Sequence, residues 1–343
     1  MVCPVNNVRE KLARFPKAQL GHHPTPLEPL KNLEADFPQK HLFVKRDDCN
    51  GLVFRGNKVR QLEYYLGEAL AQKADHILIT GAVQSNFVRL AAAAANKLGM
   101  QCHIQLEQRV AGKSETYNTS GNVLLDKMLG AKIYHYPHGE DEEGADDRLH
   151  EIADELKHKG HRPYVIHLAP GHLPMGALGY VDAACEFVEQ TKQQQIDFDK
   201  IVVPSGSGNT HCGLLFGLRA MGVKTPVSGI CVRRGATEQK QRLTARCSEL
   251  SQMLEIDNPV LESDIDLNDE FLPPAYGQLN DATNTAINIA ARKEALILDP
   301  VYSGKTMAGF LQIAKTMPSG ATILFWHTGG APAVFAYQQE LSV

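Results

Sequence analysis

The chain has no apolar run approaching the ~20 residues of a membrane-crossing helix, and its N-terminus lacks the charged-then-apolar pattern of a secretory leader. No membrane partner is expected. It also lacks any Cys-x-x-Cys pair, and its seven cysteines, at 3, 49, 102, 185, 212, 231 and 247, are an odd number. That spacing argues against a disulfide framework or a zinc site and for a reducing compartment, so a cytoplasmic location is expected. A strong charge of either sign is missing as well: the net charge of −4 makes no case for nucleic acid or an anionic surface. The 14 histidines include His22-His23, His135 with His138, and His167 with His172, yet none has a cysteine or carboxylate beside it at ligand spacing. No metal is expected. Repeats and low-complexity tracts are absent.

What is present is an ordinary soluble composition, 43% hydrophobic and 22% charged, over 343 residues. That length can bury a large core or two domains. Short runs rich in Ile, Val, Leu and aromatics at Leu42–Lys45, His76–Thr80, Cys102–Leu106, Lys132–Tyr136, Tyr164–Leu168, Lys200–Pro204, Val227–Val232 and Thr322–Trp326 read as strands. Helical patterns alternate with them at Asn57–Gln72, Phe87–Leu98, Asn122–Leu129, Ala145–Lys159, Gly179–Gln190, Thr210–Ala220 and Asp281–Arg292. The alternation predicts an α/β fold with two open, mostly parallel sheets and a cleft between two lobes. The acidic run Gly139–Gly144 reads as a solvated loop leading into a helix start. Residues 237–278 carry no clear strand and read as an irregular excursion that returns the chain to a site. Pro24-Thr25-Pro26 and Pro29 read as an extended arm.

Ligands of parallel α/β sheets bind beyond the carboxyl ends of strands, so the loops there carry the chemistry. Lys58 follows Gly56-Asn57 and opens a helix whose apolar face is Val59, Leu62, Leu66, Ala69 and Leu70. A lysine desolvated at a helix start suits imine chemistry, although most single lysines are solvated surface charges. Gln84-Ser85-Asn86 places two amides and a hydroxyl at a helix N-terminus, suited to a carboxylate or to plain capping. The loop Ser205-Gly206-Ser207-Gly208-Asn209-Thr210 has small residues and hydroxyls for a phosphate. It has no Gly-Lys-Ser/Thr and only half of a dinucleotide fingerprint, so nucleotide and NAD readings are weak. In His327-Thr328-Gly329-Gly330, the Thr328 hydroxyl can meet a ring nitrogen where glycines leave room for a flat group. Tyr276, Tyr302 and Ser303 supply further hydroxyls, and each tyrosine alone is as easily a packing residue. One cofactor needs an amine, a phosphate cup and a ring-edge hydroxyl together: pyridoxal 5′-phosphate (PLP).

With these residues the chain resembles the D-cysteine desulfhydrase and 1-aminocyclopropane-1-carboxylate (ACC) deaminase family of fold-type II PLP enzymes, which are tryptophan synthase β-like. The resemblance runs through Pro24-Thr25-Pro26-Leu27, Lys45-Arg46-Asp47-Asp48, Gly56-Asn57-Lys58, Gln84-Ser85-Asn86, Ser205–His211, Leu298-Asp299-Pro300-Val301-Tyr302 and His327–Pro332. It implies a covalent PLP link at Lys58, with Asn57, Asn86, Ser207, Gly208, Asn209, Thr210, Ser303 and Thr328 around the cofactor. Gln84, Ser85 and Asn86 would hold the substrate carboxylate. It also implies a large lobe of residues 1–57 and 170–343, a smaller inserted lobe of 58–169, and a homodimer. ACC deaminases resemble one another in carrying glutamate where Ser303 stands and leucine where Thr328 stands. A neutral hydroxyl there leaves a weaker electron sink, sufficient to expel a good leaving group from a β-carbon. Similar desulfhydrases commonly carry histidine where this chain has Phe87.

The expected reaction is therefore β-elimination on a small amino acid, D-cysteine to pyruvate, hydrogen sulfide and ammonia. Lys58 or Ser85 would take the α-proton, and Tyr276 or Tyr302 would assist the departing thiolate. ACC deamination to 2-oxobutyrate, elimination from cysteate or 3-chloroalanine, and a non-catalytic PLP sensor are the alternatives.

Overall fold

A computed structural model describes residues 4–342. In chain order the elements are α1 (Pro4–Leu12), β1 (Leu27–Pro29), α2 (Lys31–Glu34), β2 (His41–Arg46), α3 (Lys58–Ala71), β3 (His76–Ala82), α4 (Asn86–Lys97), β4 (Gln101–Glu107), α5 (Glu115–Thr119) and α6 (Asn122–Met128). There follow β5 (Lys132–Tyr136), α7 (Glu142–His158), β6 (Pro163–Ile166), α8 (Met175–Gln194), β7 (Lys200–Ser205), α9 (Asn209–Ala220), β8 (Val227–Cys231) and α10 (Ala236–Leu254). The chain closes with β9 (Asp266–Asn268), α11 (Asp281–Glu294), α12 (Ser303–Thr316), β10 (Thr322–His327) and α13 (Ala333–Ala336).

Two sheets result. One has the order β1-β2-β10-β7-β8-β9 and the other β5-β4-β3-β6. Every neighbouring pair is parallel except β1 with β2 at the edge. All seven residues of β3 and all of Ile201–Ser205 in β7 are buried, as a sheet covered on both faces demands. Each of the eight expected strands is present. The short β1 and β9 lie outside the expected set; three residues each give no readable alternation.

Two expectations about helices need correction. Ala236–Leu254 is a 19-residue helix, not irregular chain. Its buried positions Gln239, Leu243, Arg246, Cys247, Leu250 and Leu254 recur at helical spacing, but two of them are polar, which hides the stripe. Leu70, expected on the buried face of α3, is 43% exposed, whereas Val59, Leu62, Leu66 and Ala69 are buried.

The start of α3 is pinned from behind by a buried ionic cluster. Asp47 Oδ1 accepts from Arg60 Nε at 3.0 Å and Nη2 at 2.9 Å, and its Oδ2 accepts from Tyr180 Oη at 2.5 Å and Trp326 Nε1 at 2.8 Å. Glu186 accepts from both Arg60 terminal guanidinium nitrogens at 2.9 Å and from Lys45 Nζ at 2.5 Å. Burial alone would raise the Glu186 pKa; the facing Arg60 and Lys45 outweigh it and bring it down to about 2. Two cations and two anions thus neutralise one another with their hydrogen bonds made. Next to this cluster α8 meets α3 backbone to backbone: a Cβ on Gly179 would fall 2.1 Å from the Arg60 carbonyl oxygen. The cluster joins β2, α3, α8 and β10, and so fixes where Lys58 can sit.

Candidate active site

The carboxyl ends of β3, β4, β7 and β10 face a cavity of about 900 Å³, counting its open mouth. Lys58, Asn57, Ser85, Asn86, Ser207, Tyr276, Tyr302 and Thr328 line it. Residues from six separate stretches of sequence therefore share one space.

Lys58 is the first residue of α3, and among the described residues its Nζ makes one hydrogen bond, a long one of 3.5 Å to Gln61 Oε1. The amine lies 4.9 Å above the Phe87 ring, which in turn tilts against Tyr65. Burial disfavours the charged amine and lowers its pKa to about 8, so neutral amine is accessible near physiological pH. Asn57, just before it, donates through Nδ2 to Thr210 Oγ1 at 2.9 Å, and Gln61 Nε2 donates to the same oxygen at 2.9 Å. Thr210 thereby couples the lysine's helix to the start of α9.

The α9 start suits a phosphate. Gly208 has φ +98°, a left-handed conformation open to glycine, and it turns the chain so that the first N–H groups of α9 have no helical acceptor. Ser207 lines the cavity and its carbonyl accepts from Arg242 Nε at 3.0 Å. Gly208, Asn209 and Thr210 lie behind the wall and do not line it.

Ser85 is the N-cap of α4, its Oγ accepting from Phe87 N at 3.2 Å and Val88 N at 3.4 Å. It both caps and faces the cavity, so the two readings of this loop coexist in one residue. Gln84 points elsewhere. Its amide donates to the carbonyls of Tyr117 at 2.5 Å and Ser120 at 3.0 Å, and its Oε1 accepts from Asn122 N at 2.9 Å. The amide is spent on holding the α5–α6 connection. Asn86 does line the cavity, and its Oδ1 accepts from Asn122 Nδ2 at 3.0 Å.

Two phenols line the same cavity. Tyr276 Oη and Tyr302 Oη are 3.0 Å apart. Burial holds the Tyr302 pKa well above the usual phenol value, with Tyr276 beside it adding to the effect, so this hydroxyl stays protonated. The Arg109 guanidinium lies 6.0 Å from the Tyr276 ring and pairs with Glu107, which also accepts from Thr80 Oγ1 at 2.7 Å. Ser303 does not reach the cavity: its Oγ donates to Asp299 Oδ1 at 2.6 Å and accepts from Asp299 N at 2.8 Å. Thr328 is the ring-edge candidate that lines the space.

Sequence reasoning missed a cluster at the rim. Glu142, expected in a solvated loop, lines the cavity and pairs with Arg233 at 2.7 Å, with Arg242 at 3.1 Å and with Arg234. Burial would raise its pKa, but the three guanidinium groups draw it down to about 2. Arg233-Arg234 closely follows strand β8, the kind of position that marks site residues, and this signal was available.

An amine whose pKa is lowered by burial, a hydroxyl-rich helix start for phosphate and a threonine hydroxyl lining the same cavity fit PLP on structural grounds. The chain belongs to the family described as pyridoxal-phosphate dependent enzymes, whose pattern matches residues 18–329. It is a PLP-dependent enzyme of fold type II. Among individual proteins, it is 38% identical over 337 residues to the D-cysteine desulfhydrase of Serratia proteamaculans, covering 98% of this chain and all of that one. It is 39% identical over 341 residues to the D-cysteine desulfhydrase of Yersinia enterocolitica, covering 97% and 99%. A solved ACC deaminase homologue superposes with TM-score 0.88 at 36% identity, covering 98% of each chain. An O-ureido-L-serine synthase structure, at 17% identity and TM-score 0.66, shares the fold.

Proposed function

We propose that this enzyme eliminates hydrogen sulfide from D-cysteine, giving pyruvate and ammonia. The observation that carries the reading is one cavity in which a half-buried Lys58 of lowered pKa shares space with the hydrogen-bonded phenols Tyr276 and Tyr302. The full-length relatives named D-cysteine desulfhydrase supply the substrate.

In this reading Lys58 would anchor PLP, the α9 start with Ser207 would take its phosphate while Thr210 supports that start from behind, Asn86 would meet the hydroxyl on its ring, and Thr328 would meet its ring nitrogen. Bound PLP supplies the electron sink in which the α-C–H bond and then the β-C–S bond can break. Lys58 Nζ is the residue that holds the α-proton, because Ser85 Oγ is occupied as an N-cap acceptor and has no base within hydrogen-bond reach among the described residues. Ser85 and the α4 N-terminus position the substrate carboxylate. Tyr302, kept protonated and oriented by Tyr276, hydrogen-bonds the sulfur as it leaves. Ser303 acts from behind the wall: it keeps Asp299 in place at the head of α12.

A larger lobe of residues 1–57 and 170–343, an inserted lobe of 58–169 and a homodimeric state belong to the same proposal. So does a reducing, cytoplasmic setting, which the free thiols of the six described cysteines support; Cys3 lies outside the described residues. No helix among the described residues is long and apolar enough to cross a membrane.

The test is a substrate panel on purified holoenzyme. D-cysteine should give pyruvate and sulfide with a higher kcat/KM than L-cysteine, cysteate or 3-chloroalanine, and ACC should give little 2-oxobutyrate. Faster 2-oxobutyrate release from ACC than pyruvate release from D-cysteine overturns the assignment.

A further inference from the structure

A second cluster of chemistry-bearing residues stands at the edge of the cavity and has no part in the reading above. Asp146 lies in the second turn of α7 and lines the cavity. His167 and His172 belong to the segment that crosses from β6 to α8. His167 Nδ1 is 3.2 Å from Asp146 Oδ2, and His172 Nε2 is 3.3 Å from the same oxygen. The two imidazoles stack at 3.7 Å and 5°, and His150, one turn after Asp146 on α7, brings a third ring to 5.0 Å from His167. Nothing in the sequence announces the group, because its carboxylate lies 21 residues before one histidine and 26 before the other.

Both separations are long for charge-assisted hydrogen bonds, which run at about 2.7–2.9 Å. They match the edge of a tetrahedron, roughly 3.3 Å when bonds from a central ion to nitrogen or oxygen are about 2.0–2.1 Å. The three donor atoms all lie within 4.8 Å of one another, and one ion reaches them together once one of the stacked rings turns, because parallel imidazoles do not aim their in-plane lone pairs at one point. The segment that carries the histidines is also held in place. Arg242 Nη2 donates to the Leu168 carbonyl at 2.8 Å, and Arg246 donates to the carbonyls of Ala169 at 2.9 Å and His172 at 2.5 Å. With the backbone fixed in this way, only a side-chain turn has to be ordered when an ion binds.

We propose that Asp146, His167 and His172 form a binding site for a divalent transition-metal ion of the zinc class. Two imidazoles and one carboxylate are the donor set such ions favour, and three protein ligands leave a fourth position for water or a small soft ligand such as a thiolate. A comparable group, Asp75 with His76 and His161, stands at the opposite end of the four-stranded sheet. It spreads its contacts over both carboxylate oxygens at 2.9 and 3.7 Å, and one of those oxygens also accepts from Arg162 N at 2.7 Å. It serves as the internal control.

The experiment is equilibrium dialysis of chelator-stripped holoenzyme against zinc chloride, with bound metal counted per chain. Cobalt(II) substitution is read by its visible d–d absorption, which reports tetrahedral coordination. One saturable ion per chain is expected, weakened more than about tenfold in His172→Ala and in Asp146→Asn, and unchanged in His161→Ala. Asp146→Asn is nearly isosteric and stands in should the alanine variant fold poorly. Absence of saturable binding overturns the proposal. So does binding that survives both site variants, or binding that is lost with His161→Ala.

Discussion

Asn122 Nδ2 donates to Asn86 Oδ1 and to the Gln84 carbonyl, each at 3.0 Å. With its oxygen so occupied, the Asn86 amide keeps its nitrogen as the donor available to the cavity it lines. Asn122 is itself fully buried at the start of α6, so the orientation of a site residue is fixed from a helix that contributes nothing else to the wall. Asn122→Ala should weaken PLP binding about five- to thirtyfold, the equivalent of one buried hydrogen bond to a positioned group. Cofactor titration followed by absorbance measures this.

The phenol pair separates two halves of the reaction. Tyr302→Phe should lower kcat for pyruvate release by roughly 10²–10⁴-fold, the span of a lost acid–base contribution. Exchange of the substrate α-hydrogen with solvent should continue, because Lys58 is untouched. Nuclear magnetic resonance in deuterium oxide follows that exchange, and its loss in Tyr302→Phe would show that the phenol positions the substrate instead of serving the leaving sulfur.

The ionic cluster behind α3 is a stability element. Glu186→Ala leaves two buried cations, Arg60 and Lys45, facing the single anion Asp47 and should cost about 3–5 kcal/mol in denaturant unfolding. The parent's Glu186 pKa is depressed from 4.5 to about 2. Its contribution is therefore complete above pH 4.5 and is lost as pH falls through about 2. Glu186→Gln should flatten that acid limb.

Much of this is legible in the sequence. Strands buried on both faces read as continuous apolar runs, and the loops that follow them bring Ser85, Asn86, Ser207 and Thr328 to notice, while Lys58 gains weight only beside those loops. What cannot be read is direction. Gln84 and Ser303 stand next to cavity residues in sequence, yet each turns its polar group to a partner behind the wall, the α5–α6 connection in one case and Asp299 in the other. The Glu142 cluster depends on three arginines roughly 100 residues away, and the α10 helix is hidden by its buried Gln239 and Arg246.

Asp126 gives a pH signature of opposite sign. It is fully buried on α6, and neither carboxylate oxygen has a hydrogen-bond partner among the described residues. Burial raises its pKa from 3.8 to about 8, with Arg89 only partly opposing. The folded state holds a proton that the unfolded chain has released, so the stability from this group is present below pH 3.8 and lost as pH rises through about 8. Asp126→Asn should remove that decline, leaving a flatter stability curve between about pH 4 and 8 by thermal or denaturant unfolding.

The central claim is that Lys58 binds the cofactor covalently and that the surrounding cavity uses it to eliminate sulfide from D-cysteine. The direct measurement pairs the visible absorption spectrum with pyruvate release from D-cysteine, for the parent enzyme and for Lys58→Ala. The account predicts a visible band and sustained pyruvate formation in the parent, and loss of both in the variant. A Lys58→Ala protein that still releases pyruvate at the parental rate would contradict it.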